Sequence, residues 1–180
     1  MRLFIAIDFP EDIKDGLLSD AKKIRGSFFR ANFSRRENYH LTLVFLGEVP
    51  PARVKEIAAV MNGCAFPDFR LTVGEGGRFR RDGGDTLWRK VTAPKTLFDI
   101  QKQLFAELKA HGFSFDNREF KPHITIAREA ILADGAAFSG ISFGEPLSFT
   151  VSSITLMRSD RINGVLTYTP IHIIKSRRLP

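Results

Sequence analysis

The chain has 180 residues, of which 43% are hydrophobic, and its 27 basic and 20 acidic residues give a formal net charge of +7. This composition is typical of a soluble globular protein with a substantial core. The charge favours an anionic partner such as nucleic acid, an acidic membrane surface or a phosphorylated small molecule, although solubility alone also accounts for it. The single cysteine, Cys64, excludes an internal disulfide and a cysteine-based metal cage.

Membrane and export signals are weak in this sequence. It contains no apolar run of 18 residues that would predict a transmembrane helix. The apolar stretch at residues 1–8 is too short for a signal peptide and has no small-residue cleavage site. We therefore expect a cytoplasmic protein without a membrane partner, and we expect a monomer.

The first quarter of the chain contains two predicted strands around a helix. Residues 2–8, which include Phe4, Ile5 and Ile7, predict a strand. Pro10 can occupy the first turn of a helix that ends near Gly26, with an inward face formed by Ile13, Leu17, Ala21 and Ile24. Residues 27–38 are polar and basic and predict a loop. A second strand follows at 39–46.

The middle of the chain is predicted to contain two helices and two strands. Pro51 and Pro94 each mark the start of a helix. The apolar faces of these helices are Val54, Ile57, Ala58 and Met61 in one and Leu97, Ile100, Leu104 and Leu108 in the other. Strands are predicted at 69–73 and 86–92, with a turn at 82–85 between them.

The last third of the chain is predicted to contain three strands. The first spans 122–127, and a loop rich in glycine and alanine follows it. Two more strands are predicted at 147–157 and 165–174. The pair Asn163-Gly164 between them is typical of a tight hairpin turn.

A short motif occurs twice. His40-Leu41-Thr42-Leu43 returns 83 positions later as His123-Ile124-Thr125-Ile126, and both copies lie in predicted strands. Because side chains alternate along a strand, each histidine and its threonine must share a face, about 6.6 Å apart, while the intervening residue points into a core. One such histidine would most simply be a polar residue on a half-exposed strand. Two copies predict a symmetric pair of imidazoles.

The surroundings of the motif also repeat. Strand, proline, helix, loop and His-x-Thr-x strand follow one another in residues 2–46 and again in 86–127. We therefore predict two similar lobes, each a sheet with helices on one face, with the two motif strands facing each other across a cleft. No linker separates the lobes, so residues 1–180 are predicted to form a single domain.

Five stretches of the chain resemble a known family. They are residues 2–8 (RLFIAID), 37–48 (ENYHLTLVFLGE), 121–128 (KPHITIAR), 156–159 (LMRS) and 168–170 (YTP). In this order they are similar to the two-histidine (2H) phosphoesterase superfamily. Within it they most resemble the RNA 2′,3′-cyclic phosphodiesterases, historically called 2′-5′ RNA ligases or LigT-like proteins.

The resemblance implies a fold and an activity. The fold would be α+β and bilobal, with two pseudo-symmetric lobes, an antiparallel or mixed sheet in each, helices on the outer faces and the active-site cleft between them. The activity would be hydrolysis of a ribose 2′,3′-cyclic phosphate to a 2′-phosphate, with RNA 3′ ends or nucleoside cyclic phosphates as partners. No metal and no cofactor would be required.

The resemblance also implies residue roles. By motif position, His40 would be the general acid to the leaving 3′ oxygen and His123 the general base toward water. Thr42, Thr125 and Arg128 would bind the phosphate oxygens. Metal-free phosphodiester hydrolysis needs such an acid, such a base and charge stabilisation at phosphorus, and an imidazole titrating near pH 6.5 can serve as either acid or base.

Phe45 is the sixth candidate, and the resemblance implies that it stacks on the terminal base. Its strand parity, however, matches Leu41 and Leu43, which are expected to face the core. The proposed stacking therefore requires the strand to bulge or end near Phe45.

Several alternatives remain open from the sequence. Zinc favours three or four ligands, and His40 and His123 supply only two, so a metal site is not expected. The aromatic and basic residues in 28–36 are typical either of single-strand RNA binding or of a loop whose phenylalanines plug the core. The chain could also be a non-catalytic RNA-binding module, or an enzyme acting on another cyclic nucleotide or on 2′-5′ linked RNA.

Overall fold

A computed structural model describes residues 1–115 and 119–177. Within these ranges the chain forms three α-helices and nine β-strands. The helices are α1, Glu11–Ile24; α2, Val54–Gly63; and α3, Lys95–Ala110. The strands are β1, Arg2–Asp8; β2, Phe28–Phe33; β3, His40–Glu48; β4, Phe69–Phe79; β5, Asp85–Thr92; β6, His123–Leu132; β7, Leu147–Val151; β8, Ser153–Ile162; and β9, Val165–Lys175.

The strands form two antiparallel sheets. Sheet A has the order β3-β1-β8-β9, and sheet B has the order β2-β6-β5-β4-β7. The order β3-β1-β8 in one sheet corresponds to β6-β5-β4 in the other, with a motif strand at the first position of each. The predicted α+β fold with two related lobes is confirmed.

The helices are exchanged between the lobes. Helix α1 follows β1 of sheet A and leads into β2 of sheet B, and it packs on β6 and β7 of sheet B. Helix α3 connects β5 to β6 of sheet B, but it packs on β3 of sheet A and on α2. The predicted inward faces of α1 and α3 are buried, because their apolar residues recur at helical spacing. No helix among the described residues is long and apolar enough to span a membrane.

Two of the predicted elements are wrong, and β4 and β6 run past their predicted ends at residues 73 and 127. Residues 27–38 are not simply a loop, because Phe28–Phe33 form β2, which pairs with the edge of β6. The single strand predicted at 147–157 is two strands, β7 in sheet B and β8 in sheet A, separated at Ser152. The hairpin turn at Asn163-Gly164 is confirmed, and both residues have the positive φ angles, 51° and 79°, that such a turn requires.

Candidate active site

The two motif strands meet where the sheets adjoin, since β3 and β6 contact each other. His40, Thr42, His123 and Thr125 are all half-buried. Leu41 and Ile124, which lie between the members of each pair, are completely buried. The structure therefore places each histidine and its threonine on a common face directed away from the core, as strand alternation predicts.

Both imidazoles are held by the same local hydrogen bond. The Nδ1 atom of His40 lies 2.7 Å from the carbonyl oxygen of Asn38, and that of His123 lies 2.6 Å from the carbonyl oxygen of Lys121. A carbonyl only accepts, so Nδ1 carries the proton and donates in both rings, and Nε2 is left as the acceptor of the neutral form. The Nε2 atom of His40 lies 2.9 Å from the hydroxyl of Thr42.

The repeat extends to a β-bulge in each motif strand. Ile5 pairs with Val44 and Ala6 with Thr42, which leaves Leu43 as an extra residue in β3. The corresponding shift in β6 leaves Ile126 unpaired against β5. Each bulge therefore places two adjacent apolar residues in the core and reverses the alternation that follows.

Phe45 and Arg128 occupy equivalent positions just after these bulges. Each follows its histidine by five residues, and each is exposed; the exposed fraction of Phe45 is 45%. Simple alternation would have buried Phe45, so the expectation that it faces the core is wrong, and the reason is the extra residue in β3. Both side chains lie on the same side of their strands as the histidines.

Two adjoining cavities lie along this face. The first, which we call the His40 cavity, has a volume of about 560 Å³, and its lining includes His40, Thr42, Phe45 and Arg128. The second, which we call the Thr125 cavity, has a volume of about 450 Å³ and also contacts His40 and Arg128. The predicted site residues other than His123 therefore lie along one continuous cleft.

His123 lines a third cavity, of about 540 Å³, which we call the aromatic groove. His123 is nevertheless close enough to His40 for its charge, like that of Arg128, to lower the pKa of His40. The structure thus brings the six candidate residues to the junction of the two sheets, with His123 at the border between the cleft and the groove.

Burial and charge lower the pKa values of both histidines below the usual 6.5. Desolvation of the imidazolium is the main cause in each ring. The hydrogen bond to the preceding carbonyl opposes this shift, whereas the positive charge of Arg128 adds to it. Both rings are therefore predominantly neutral at pH 7 in the free protein.

Arg128 is well placed to bind an anion. Its guanidinium is exposed to the cleft, and it has no carboxylate partner within the described parts of the chain. Arg2 and Arg161 also line the His40 cavity, whose one lining carboxylate, that of Asp160, is paired with Arg158. A planar guanidinium can hold two phosphate oxygens at once, so this end of the cleft is suited to a phosphate group.

Two aromatic side chains hold the ring of His40, and the sequence pattern did not identify Phe4 as one of them. The ring centre of Phe4 lies 4.8 Å from that of His40, and the ring of Tyr168 lies 5.1 Å away at 88°. Phe4 lies on β1, which is buried on both faces, so its polarity gives no sign of a site. Phe4 could have been found only from the pairing of β1 with the motif strand β3.

Potential metal ligands do not cluster in the structure. Within residues 1–115 and 119–177, no group of three or more His, Cys, Asp or Glu side chains is arranged to hold a metal ion. His111 and His172, the two other histidines, lie after α3 and on β9, respectively.

A family model of the 2′-5′ RNA ligase superfamily matches residues 10–163. The chain belongs to this superfamily. A Thermotoga maritima protein named RNA 2′,3′-cyclic phosphodiesterase is 40% identical over 133 residues, which cover 71% of this chain and 70% of the relative. An Escherichia coli K12 protein of the same name is 30% identical over 174 residues, which cover 94% and 93% of the two chains.

The superfamily assignment also agrees with a solved structure. The crystal structure of Escherichia coli LigT complexed with 3′-AMP superposes on 98% of both chains with a TM-score of 0.83, at 29% sequence identity. The predicted membership of the 2H phosphoesterases, in their LigT-like branch, is confirmed. The chain is therefore an enzyme of the phosphoesterase type.

Proposed function

We propose that this superfamily member hydrolyses the 2′,3′-cyclic phosphate at an RNA 3′ end to a 2′-phosphate, without a metal ion. The observation that carries the proposal is the matched pair of imidazoles. Each is fixed through Nδ1 to a carbonyl two residues earlier, so Nε2 is the nitrogen that faces the site, where that of His40 meets the Thr42 hydroxyl. The names of the relatives and the nucleotide bound to Escherichia coli LigT support this substrate class.

In the proposed mechanism the two imidazoles move one proton each. The Nε2 atom of His123 takes a proton from water as the water oxygen attacks phosphorus. The bond from phosphorus to the ribose 3′ oxygen breaks, and protonated His40 gives its Nε2 proton to that oxygen. Because His40 is neutral in the free protein, the bound phosphate must raise its pKa, which an adjacent anion does by favouring the imidazolium.

The remaining candidate residues would bind the substrate. Arg128 would hold two phosphate oxygens, and the hydroxyl groups of Thr42 and Thr125 would donate to the same group. Phe45 would stack on the terminal base within the His40 cavity. The guanidinium of Arg2 already lies over the Phe45 ring, 4.9 Å from its centre, so a base would occupy the opposite face.

The direct test is to incubate the protein with an RNA that ends in a 2′,3′-cyclic phosphate, in the presence of excess EDTA. We expect full turnover, because neither proposed proton transfer uses a metal, and a single product isomer, the 2′-phosphate. The isomer is identified by ³¹P NMR and by its resistance to an enzyme that removes only 3′-phosphates.

Three results would contradict the proposal. A 3′-phosphate product would mean that the other ribose oxygen leaves. Loss of turnover in EDTA with recovery on adding a divalent metal would mean metal catalysis. Salt-dependent binding of the RNA without any product would identify a non-catalytic RNA-binding module instead.

A further inference from the structure

One face of sheet B is turned away from α1 and is lined at one end by Phe98 of α3. Along β5, the buried residues Leu87, Arg89 and Val91 point toward α1 and the core. Trp88 and Lys90 alternate with them and therefore point to the opposite face. The side of the sheet away from α1 thus carries a half-buried aromatic ring and an exposed cation.

This open face is continuous with the second motif. In the register of β5 and β6, Trp88 pairs with Thr125 and Lys90 pairs with His123. Directly paired residues in antiparallel strands share a face, so all four side chains lie side by side. On the next strand, Gly77 pairs with Trp88, and a Cβ atom there would lie only 2.4 Å from the indole ring. The glycine lets the indole lie against the sheet.

The aromatic groove lies on this face. Its walls include four aromatic rings, those of Phe79, Trp88, Phe98 and Phe120, and two exposed lysines, Lys90 and Lys121. The ring of Phe79 joins the groove to the site, since its centre lies 5.2 Å from the rings of both Trp88 and His123. The groove therefore combines stacking surfaces with positive charge directly beside a proposed catalytic histidine.

We propose that the aromatic groove binds the second nucleobase from the RNA 3′ end, that of the nucleotide on the 5′ side of the cyclic phosphate terminus. The proposal rests on the proposed function, because an RNA end has a neighbouring nucleotide only on its 5′ side. Aromatic rings on an open sheet face stack on unpaired bases, and lysines neutralise the adjoining phosphates. His123 lines the groove, so a base bound there would adjoin the nucleotide whose cyclic phosphate contacts His123.

The dimensions of the groove favour a base over a protein partner. Its volume of about 540 Å³ is in the range of small-molecule sites, whereas a protein partner requires a broad patch. The two lysines are also complementary to a polyanion. The consequence is a substrate preference, in which the enzyme acts better on an RNA end than on a single nucleotide.

The first test compares kcat/KM for a diadenosine dinucleotide ending in a 2′,3′-cyclic phosphate with kcat/KM for adenosine 2′,3′-cyclic phosphate. We expect a ratio of about ten in the wild-type protein, the size of one stacking interaction. Trp88→Ala should bring the ratio close to one, and Trp88→Phe, which keeps a ring, should retain most of it. Phe105→Ala is the matched control, since Phe105 is a half-buried aromatic residue on α3 and lines none of the three cavities.

The second test measures binding rather than turnover. Trp88 is the only tryptophan in the chain, so tryptophan fluorescence reports on the groove alone. Its fluorescence should be quenched when the wild-type protein is titrated with the dinucleotide ending in a 2′-phosphate. Adenosine 2′-phosphate should bind with little quenching, since its base lies on Phe45. This measurement remains informative even where a Trp88 variant folds poorly.

The outcomes separate this proposal from the proposed function. Absence of hydrolysis of both substrates by the wild-type protein would contradict the function itself. Hydrolysis of both substrates with a kcat/KM ratio near one in the wild-type protein, or a ratio that Trp88→Ala leaves unchanged, would contradict base binding in the groove but not the proposed function. Equal quenching by the mononucleotide and the dinucleotide would also contradict it, because the groove would then hold the terminal base.

Discussion

Replacing either His40 or His123 by alanine should lower kcat on an RNA 2′,3′-cyclic phosphate by about 10²–10⁴-fold, the usual contribution of one positioned acid or base. The two residues act on the same phosphorus in the proposed mechanism. The double variant should therefore be little slower than the worse single variant, because groups that act as a unit are not additive. Steady-state kinetics with a saturating substrate measures all three rates.

His172→Ala is the matched control for these variants. His172 lies on β9, where its Nε2 atom is 2.9 Å from the side-chain oxygen of Asn62, and it lines neither the cleft nor the groove. Its replacement should leave kcat within a factor of two of the wild-type value, as expected for a residue remote from the reacting atoms. If His40→Ala or His123→Ala kept more than a tenth of the wild-type rate, the acid-base assignment would be wrong.

Asp20→Ala should lower the free energy of unfolding by about 3–5 kcal/mol, because it leaves the guanidinium of Arg89 buried without its counter-charge. Both side chains are almost inaccessible, 3% and 0% exposed, and Nη1 of Arg89 donates to the Asp20 carboxylate. Arg89 also donates to the carbonyl oxygens of Gly74 and Glu145, at 2.5 and 3.1 Å. The pair joins α1, β4, β5 and the segment before β7.

Thermal unfolding provides the measurement. For a chain of this length, a loss of this size lowers Tm by about 6–20 °C. Asp99→Ala is the control, because Asp99 pairs with Lys95 on the exposed side of α3 and such surface pairs contribute little. The double variant Asp20→Ala with Arg89→Met should recover part of the loss, since it removes the buried charge. Equal Tm values for Asp20→Ala and Asp99→Ala would contradict this account.

The same buried pair bears on domain organisation. Helix α1 follows a strand of sheet A but is tied by Asp20 to sheet B, and α3 connects two strands of sheet B but packs on sheet A, so the chain crosses between the lobes at both helices. We propose on this basis that the chain folds as one domain of two interleaved lobes. Unfolding in a single cooperative transition is the expected behaviour.

Local patterns were sufficient to predict the motif strands and the helices. Pro10 and Pro94 precede α1 and α3, and the apolar spacing in each helix identifies the buried face. The repeat of His40 and Thr42 as His123 and Thr125 defines the paired faces, because side-chain alternation depends only on the backbone of the strand.

The elements that the sequence did not predict depend on tertiary contacts. Strand β2 has no alternating pattern and forms by pairing with β6. The change of sheet at Ser152 carries no glycine or proline, and it arises because β7 and β8 pair with different partners. The bulge that exposes Phe45 has only a weak signal, the adjacent apolar pair Leu43-Val44, which recurs as Ile126-Ala127.

The most direct test of a shared phosphate between the two imidazoles is ¹⁵N NMR of the four histidine side chains, titrated with adenosine 2′-phosphate and with pH. In the free protein, His40 and His123 should both titrate below 6.5. The ligand should shift both sets of resonances with one common Kd and raise the pKa values of His40 and His123, while the ring resonances of His111 and His172 do not move on adding the ligand. A response of only one of the two rings, or different Kd values for the two, would contradict convergence on a single phosphorus.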